Sequence, residues 1–255
     1  MQEGNAAACG WPALGWTVHD VAPDLALRVE RAAPALSPGL GREVERLWQA
    51  AQRRAEGALF NGRVFSADAI APDLLRGHWT EFRRLVAQMD RPDLFADLRL
   101  RSVAINGVTQ GPDGIVWGRR PARAIYQPGL WQSAPAGSID PGAAGPDGTI
   151  DIARQVQTEL AEELGIAAGE AEIGPPLALV EHAGSHVCDL GVPVRVALGE
   201  AEIRRRHRAA PDKEYPALRI VPPAAIAAFV RAERAAMAPQ ALVFLARLGL
   251  LKSPS

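Results

Sequence analysis

Two apolar runs face each other across Gly111-Pro112-Asp113-Gly114, and no other feature constrains the fold of this 255-residue chain as tightly. The runs are SVAINGVTQ (102–110) and GIVWGRR (114–120). β-Branched and aromatic residues on both sides of a Gly/Pro/Asp turn predict an antiparallel hairpin. Downstream, PGLWQSAPAG (128–137) reads as a long loop, and a helix is predicted from Asp151 to Leu164. LALVEHA and VPVRVAL read as further strands, and a polar, Arg-rich segment leads to a last strand, ALRIVP. From Pro223 to Leu250 the pattern is two apolar helices broken at Pro239. Strands, one embedded helix, more strands and closing helices predict an α/β (α+β) layered domain.

The first part of the chain reads differently. Residues 1 to about 20 show no period and are expected to be frayed. LALRVE (25–30) suits a short strand. Val44, Leu47, Trp48 and Ala51 recur at helical spacing between Gly39 and Gly57. Two β-like runs flank Pro72-Asp73, and a helix is expected near Thr80 to Gln88. A connector rich in Asp and Pro, Asp90 to Asp97, sets the expected boundary: a smaller α+β extension over 1–98 and the main domain over 99–255.

Composition narrows the partners. Hydrophobic residues at 48% and charged residues at 22% allow a real core. A formal net charge of −1 gives no global field to draw in nucleic acid, so any anion site must be local. No basic run interleaved with aromatics occurs, and no nucleic-acid partner is expected. Cys9 and Cys188 lack CxxC spacing, so a reducing compartment is expected and a zinc site or disulfide framework is not. The start has no basic region followed by an apolar core, and no stretch of about 18 apolar residues could cross a bilayer. The expectation is a cytoplasmic protein without a membrane partner. A homodimer is one open arrangement.

The chemistry concentrates in DIARQVQTELAEELGI (151–166). Ile152, Val156, Leu160 and Leu164 recur every four residues and predict one buried stripe. Glu159, Glu162 and Glu163 fall at i, i+3 and i+4 and are expected to share the opposite face. Gly165 suits a left-handed C-cap. Each like-charge pair at such spacing destabilises a helix by roughly 0.2–0.5 kcal/mol. A divalent cation would remove that cost, and magnesium binds through a few carboxylates while keeping places for water and phosphate oxygens. The alternative is an ordinary solvated acidic face.

TELAEELGI (158–166) resembles the second half of the Nudix signature, G-x5-E-x7-R-E-U-x-E-E-x-G-U, at every position but the Arg, which is Thr158. Upstream, WGRR and then YQPGLWQSAPAG, ending at Gly137, resemble the approach to that motif. Two departures stand out. Gly137 to Gly165 spans 28 positions, seven more than the signature, and Ile150 stands where its first Glu would be. The stretch LFNG ahead of a long motif loop is similar to Nudix proteins related to UDP-glucose diphosphatase.

The resemblance implies an α/β/α sandwich with a mixed sheet. It also implies hydrolysis of the pyrophosphate bond in a nucleoside diphosphate linked to another moiety, a nucleotide sugar such as UDP-glucose being first choice. ADP-ribose or a dinucleotide, or a domain that binds nucleotide without turnover, are the other readings. Carried over, the metal (magnesium, with manganese as an alternative) would be held by Glu159, Glu162, Glu163 and the Ala136 carbonyl. Glu162, Glu163 and Glu214 are the expected catalytic set, with Glu181 a second choice of base. Arg119, Tyr126 and Gly137 are the expected substrate contacts. Arg119 and Arg120 are adjacent on a strand, so at most one should enter the site. Tyr126 and Trp131 are read as stacking residues or as core. His186 and Asp189 are read as loop polar groups, and Cys188 as a small buried hydrophobe.

Overall fold

A computed structural model describes residues 15–212 and 214–251; Cys9 and the first part of the stretch expected to be frayed lie outside them. Among the described residues the strands are β1 (Trp16–His19), β2 (Ala26–Arg31), β3 (Arg63–Ile70), β4 (Leu74–Glu81), β5 (Val103–Gly111), β6 (Gly114–Arg119), β7 (Trp131–Ser133), β8 (Ala136–Ser138), β9 (Thr149–Ile150), β10 (Ala171–Ile173), β11 (Ala178–His182), β12 (Cys188–Val196) and β13 (Ala217–Val221). The α-helices are α1 (Pro38–Arg54), α2 (Phe82–Asp90), α3 (Phe95–Leu98), α4 (Ile152–Glu159), α5 (Glu200–Ala209), α6 (Ile226–Ala232) and α7 (Pro239–Arg247). This is the layered α+β class expected from the order of apolar runs.

The main sheet runs β1-β11-β12-β5-β6-β13, with β10 on β12, β7 on β6 and β8 on β5. β5 and β12 pair in parallel from Val103 opposite Cys188, and β5 turns into β6 through the expected Gly-Pro-Asp-Gly hairpin. Side chains alternate across a strand. Val103 and Ile105 therefore join Val156, Leu160 and Leu164 in one core, while Trp117, Trp131 and Val108 pack with α6 and α7 in another. Helices thus cover the sheet on both faces.

The second sheet runs β3-β4-β2-β9. Strand pairing crosses position 98 in both directions: β1 pairs with β11, and β9, from the motif loop, pairs with β2 through Ile150 opposite Leu27. Leu27, Phe65 and Leu75 share the core beneath α4.

Four expectations need correction. Trp16–His19, within the stretch read as aperiodic, is an edge strand, too short to show a period. PGLWQSAPAG is not only loop; it carries β7 and β8, at three residues each again below any detectable alternation. The Asp/Pro connector holds α3. The Arg-rich polar segment is α5, in which only Ile203 is buried. Its exposed faces carry Arg204–Glu200 and Arg206–Glu202 pairs four residues apart, so no apolar stripe marks it as helix.

Candidate active site

Helix α4 begins at Asp151, whose carboxylate accepts the Arg154 N–H as an N-cap, and its buried stripe seats it on the sheet. It does not run α-helically to Leu164. After Glu159 the backbone widens into one π turn, Leu160–Leu164, closed by Gly165 at φ 66° donating to the Leu160 carbonyl. A π turn inserts a residue and rotates the side chains beyond it about the helix axis. Glu159 stays within electrostatic reach of both Glu162 and Glu163, as the i, i+3, i+4 spacing predicts, but the three differ in exposure. Glu162 is exposed, and its carbonyl accepts the Asp212 N–H. Glu163 turns inward and is 1% exposed.

Glu163 Oε2 accepts the Ala136 N–H at 3.0 Å, while Oε1, also buried, has no hydrogen-bond partner. Burial pushes its carboxyl well above the usual range, and the nearby Glu214 and Glu159 carboxyls push the same way. Burial likewise raises Glu159 to about 8, against a hydrogen bond from Gln155 that favours its ionised form. Gly137 makes room for this: a Cβ there would lie 2.1 Å from Glu159 Oε1. β8 is the seam of the site, with Gly137 turned to Glu159 and Ala136 tied to Glu163.

The two departures from the motif have structural counterparts. Thr158, in place of Arg, is exposed and only returns its hydroxyl to the Arg154 carbonyl. Gln155, one turn earlier and buried, does the bracing. Its amide donates to Glu159 Oε1 at 2.8 Å and to Asp140 Oδ2 at 3.4 Å, and its oxygen accepts the Asp140 N–H at 3.1 Å. Ile150 is buried in β9, so the longer loop is anchored through a strand instead of a carboxylate. Gln155→Ala is expected to cost about 2 kcal/mol of stability and about 10- to 100-fold in divalent-ion affinity, measured by denaturation and by calorimetric metal titration. Wild-type metal affinity in that variant would remove Gln155 from the site.

A cavity of about 300 Å³ opens beside β8. Ala136, Gly137, Arg120, Tyr126 and Glu214 line it. Glu214 belongs to both groups, lining the cavity and standing near Glu163. Arg120 pairs with Glu214 at 2.9 Å and donates to the Tyr126 carbonyl at 2.9 Å. Arg119 does not enter: it is exposed, bonds the Gly129 carbonyl and lies 5.8 Å from the Trp131 ring. Strand alternation gives the site to its neighbour. Trp131 is core, against Phe229.

Glu181 lies elsewhere, bonded to His19, His186 and Arg101. Burial would raise its carboxyl, but these partners outweigh that and hold it at about 2. His186 stacks on Phe95. Cys188 is buried, as expected for a small hydrophobe. Asp189, read as a loop group, is buried in the cavity wall beside Asn106. Reading from sequence also passed over Asn106 and Gln155. The available signal for Asn106 was a lone amide inside the apolar run SVAINGV; Gln155 had none beyond its place in the stripe of α4.

Among the described residues no three His, Cys, Asp or Glu side chains form a ready-made metal cage. The donors do suit a hard divalent ion held by few protein ligands, as magnesium is when phosphate oxygens complete its shell. The buried, unpartnered Glu163 Oε1 is the observation that fits. No helix among the described residues is long and apolar enough to cross a membrane.

No family model matches the chain, and no curated protein does. Solved structures do. A Nudix hydrolase from Nitrosomonas europaea aligns with a TM-score of 0.42 and 14% identity over 58% of this chain and 88% of its own. A Nudix hydrolase from M. smegmatis gives 0.39 and 18% over 58% and 84%. A C. elegans Ap4A hydrolase gives 0.36 and 14% over 58% and 99%. With TM-scores below 0.5, these likenesses bear on neither family nor activity.

Proposed function

We propose that this protein is a magnesium-dependent, Nudix-type pyrophosphohydrolase acting on a nucleoside diphosphate joined to a second group. The observation that carries the reading is Glu163, a fully buried carboxyl with one oxygen fixed by the Ala136 N–H and the other without a donor among the described residues, set beside the carboxyl of Glu214. Glu159 and Glu214 stand close enough to raise it. A structural role would favour an apolar side chain here, because burying a carboxylate without a counter-charge is costly. The motif TELAEELGI, on which the resemblance rests, is the segment that delivers this side chain.

Glu163, Glu159 and the Ala136 carbonyl would hold the ion, with Glu162 reaching from the exposed side. When bound, such an ion neutralises phosphate oxygens and makes water a stronger nucleophile. Arg120 brings a fixed cation to the same cavity, suited to a non-bridging phosphate oxygen. Water would add to one phosphorus as the bridging P–O bond breaks and the second phosphate leaves, and Glu214, which lines the cavity, would take the water's proton. A nucleotide sugar such as UDP-glucose is our first choice of substrate. Its support is the sequence likeness of LFNG and of the long motif loop.

The test is product analysis on UDP-glucose, ADP-ribose and a dinucleoside polyphosphate, with magnesium or with excess chelator. Turnover with magnesium and none with chelator is expected. Turnover that survives chelation would overturn the metal-dependent reading. Ligand-induced thermal stabilisation without turnover on any substrate would leave a nucleotide-binding domain in its place.

A further inference from the structure

Resting on that reading, we infer that the cavity beside β8 takes the nucleobase of the substrate, that Asn106 reads its hydrogen-bonding edge, and that α2 covers its face. Strand register fixes the position. Asn106 lies directly opposite Ala136 in the β5–β8 ladder, and Asp189 opposite Ala104 in the β5–β12 ladder. Alternation puts Ala104 and Asn106 on the cavity face of β5, and both line it, as does Ser102 just before the strand. One ladder step, about 4.8 Å, separates Asn106 from the strand whose next residue, Gly137, faces Glu159.

The lining is divided by chemistry. Phe82, Leu85 and Met89 of α2, with Ile125, give the cavity an apolar lining, and Asn106, Asp189 and Tyr126 give it polar groups. A pyranose carries hydroxyls around its whole rim and would leave several of them against hydrocarbon. A heterocycle has apolar faces and one polar edge, and matches a cavity with both kinds of lining. Asn106 is 1% exposed; its Nδ2 donates to Asp189 Oδ1 at 2.8 Å, and its Oδ1 is buried with no partner. Asp189 Oδ2 is reached by the Tyr126 hydroxyl at 3.5 Å. The bond to Asp189 fixes the amide, so the unused atom facing a ligand is an acceptor. It calls for a donor: the ring N–H of an imide such as uracil, or an exocyclic amine.

Nucleoside monophosphates test this apart from catalysis, since they lack the scissile bond. Calorimetric titration with UMP, AMP, CMP and GMP in chelator is expected to show binding of at least one. Asn106→Ala should weaken that binding about tenfold or more, and Met89→Asp on the apolar lining likewise, while Glu172→Gln, exposed on β10, leaves it within twofold. Circular dichroism and melting of each variant check that the fold is intact. Binding of UMP alone would assign the imide edge; binding of AMP or CMP would assign the amine. The inference is overturned if no monophosphate binds, if Asn106→Ala and Met89→Asp bind like the wild type, or if ribose 5-phosphate binds as tightly as the nucleotide. Asn106-dependent binding in a protein that hydrolyses nothing would sink the hydrolase reading and leave the base pocket standing. Hydrolysis unaffected by Asn106→Ala would do the reverse.

Discussion

Glu163→Gln is expected to lose activity and gain stability together. The amide keeps an oxygen for the Ala136 N–H but cannot carry the charge that a divalent ion needs. Losing such a ligand should lower magnesium-dependent turnover by about a thousandfold or more, which corresponds to about 4 kcal/mol of transition-state stabilisation. The metal-free protein at pH 8 should melt higher. The wild type must either bury a charge or hold a proton against the solvent, at a cost of about 2 kcal/mol. Relieving it corresponds to about 4–8 °C for a chain of this size. Thermal melts in chelator and initial rates with magnesium read the two effects separately. Unchanged turnover would take Glu163 out of the mechanism, and a lower melting temperature would mean that its carboxyl supports the fold.

Magnesium should stabilise the protein more as the pH rises toward 8. Glu159 titrates at about 8 in the folded chain against 4.5 for an ordinary glutamate, so the folded state holds a proton that the unfolded state releases. Its contribution to the stability of the metal-free protein is therefore present below about pH 4.5 and is lost as the pH climbs through 8. Metal competes with that same proton. Apparent affinity should increase by up to about tenfold per pH unit below 8 and flatten above it. Melting at pH 6.5 and 8.5, with and without magnesium, should give the larger shift at the higher pH, and Glu159→Gln should reduce the difference, the raised Glu163 carboxyl supplying what remains. Equal shifts at both values in the wild type would show that Glu159 is not a ligand.

Much of this was readable before any coordinates. The Gly111–Gly114 turn fixed β5 against β6, and Ile152, Val156, Leu160 and Leu164 gave the helix and the side it buries. Those signals are local and periodic, which is the form in which a sequence carries structure. What stayed hidden depended on contacts between distant segments. The π turn after Glu159 leaves no mark on residue spacing. Gln155 ties Glu159 to the motif loop only because Asp140 folds back beside it. Asp189 meets Asn106 only because β12 lies parallel to β5, a pairing between segments 83 residues apart. Arg120 lines the cavity and Arg119 does not; strand parity limits the site to at most one of them, and the expectation of Arg119 chose the wrong parity.

The pairing of β9 with β2 has a consequence for control of catalysis. The loop after Gly137 is stitched at Ile150 to a strand from the opening of the chain, and Phe65 holds its other flank through the Ile139 carbonyl. A slight shear of the smaller sheet would therefore travel through Asp140 and Gln155 to the Glu159 carboxyl. The same movement would carry α2, which continues directly from β4, across the mouth of the cavity. On the proposed function, substrate grip and the state of the Glu159 carboxyl would then move together.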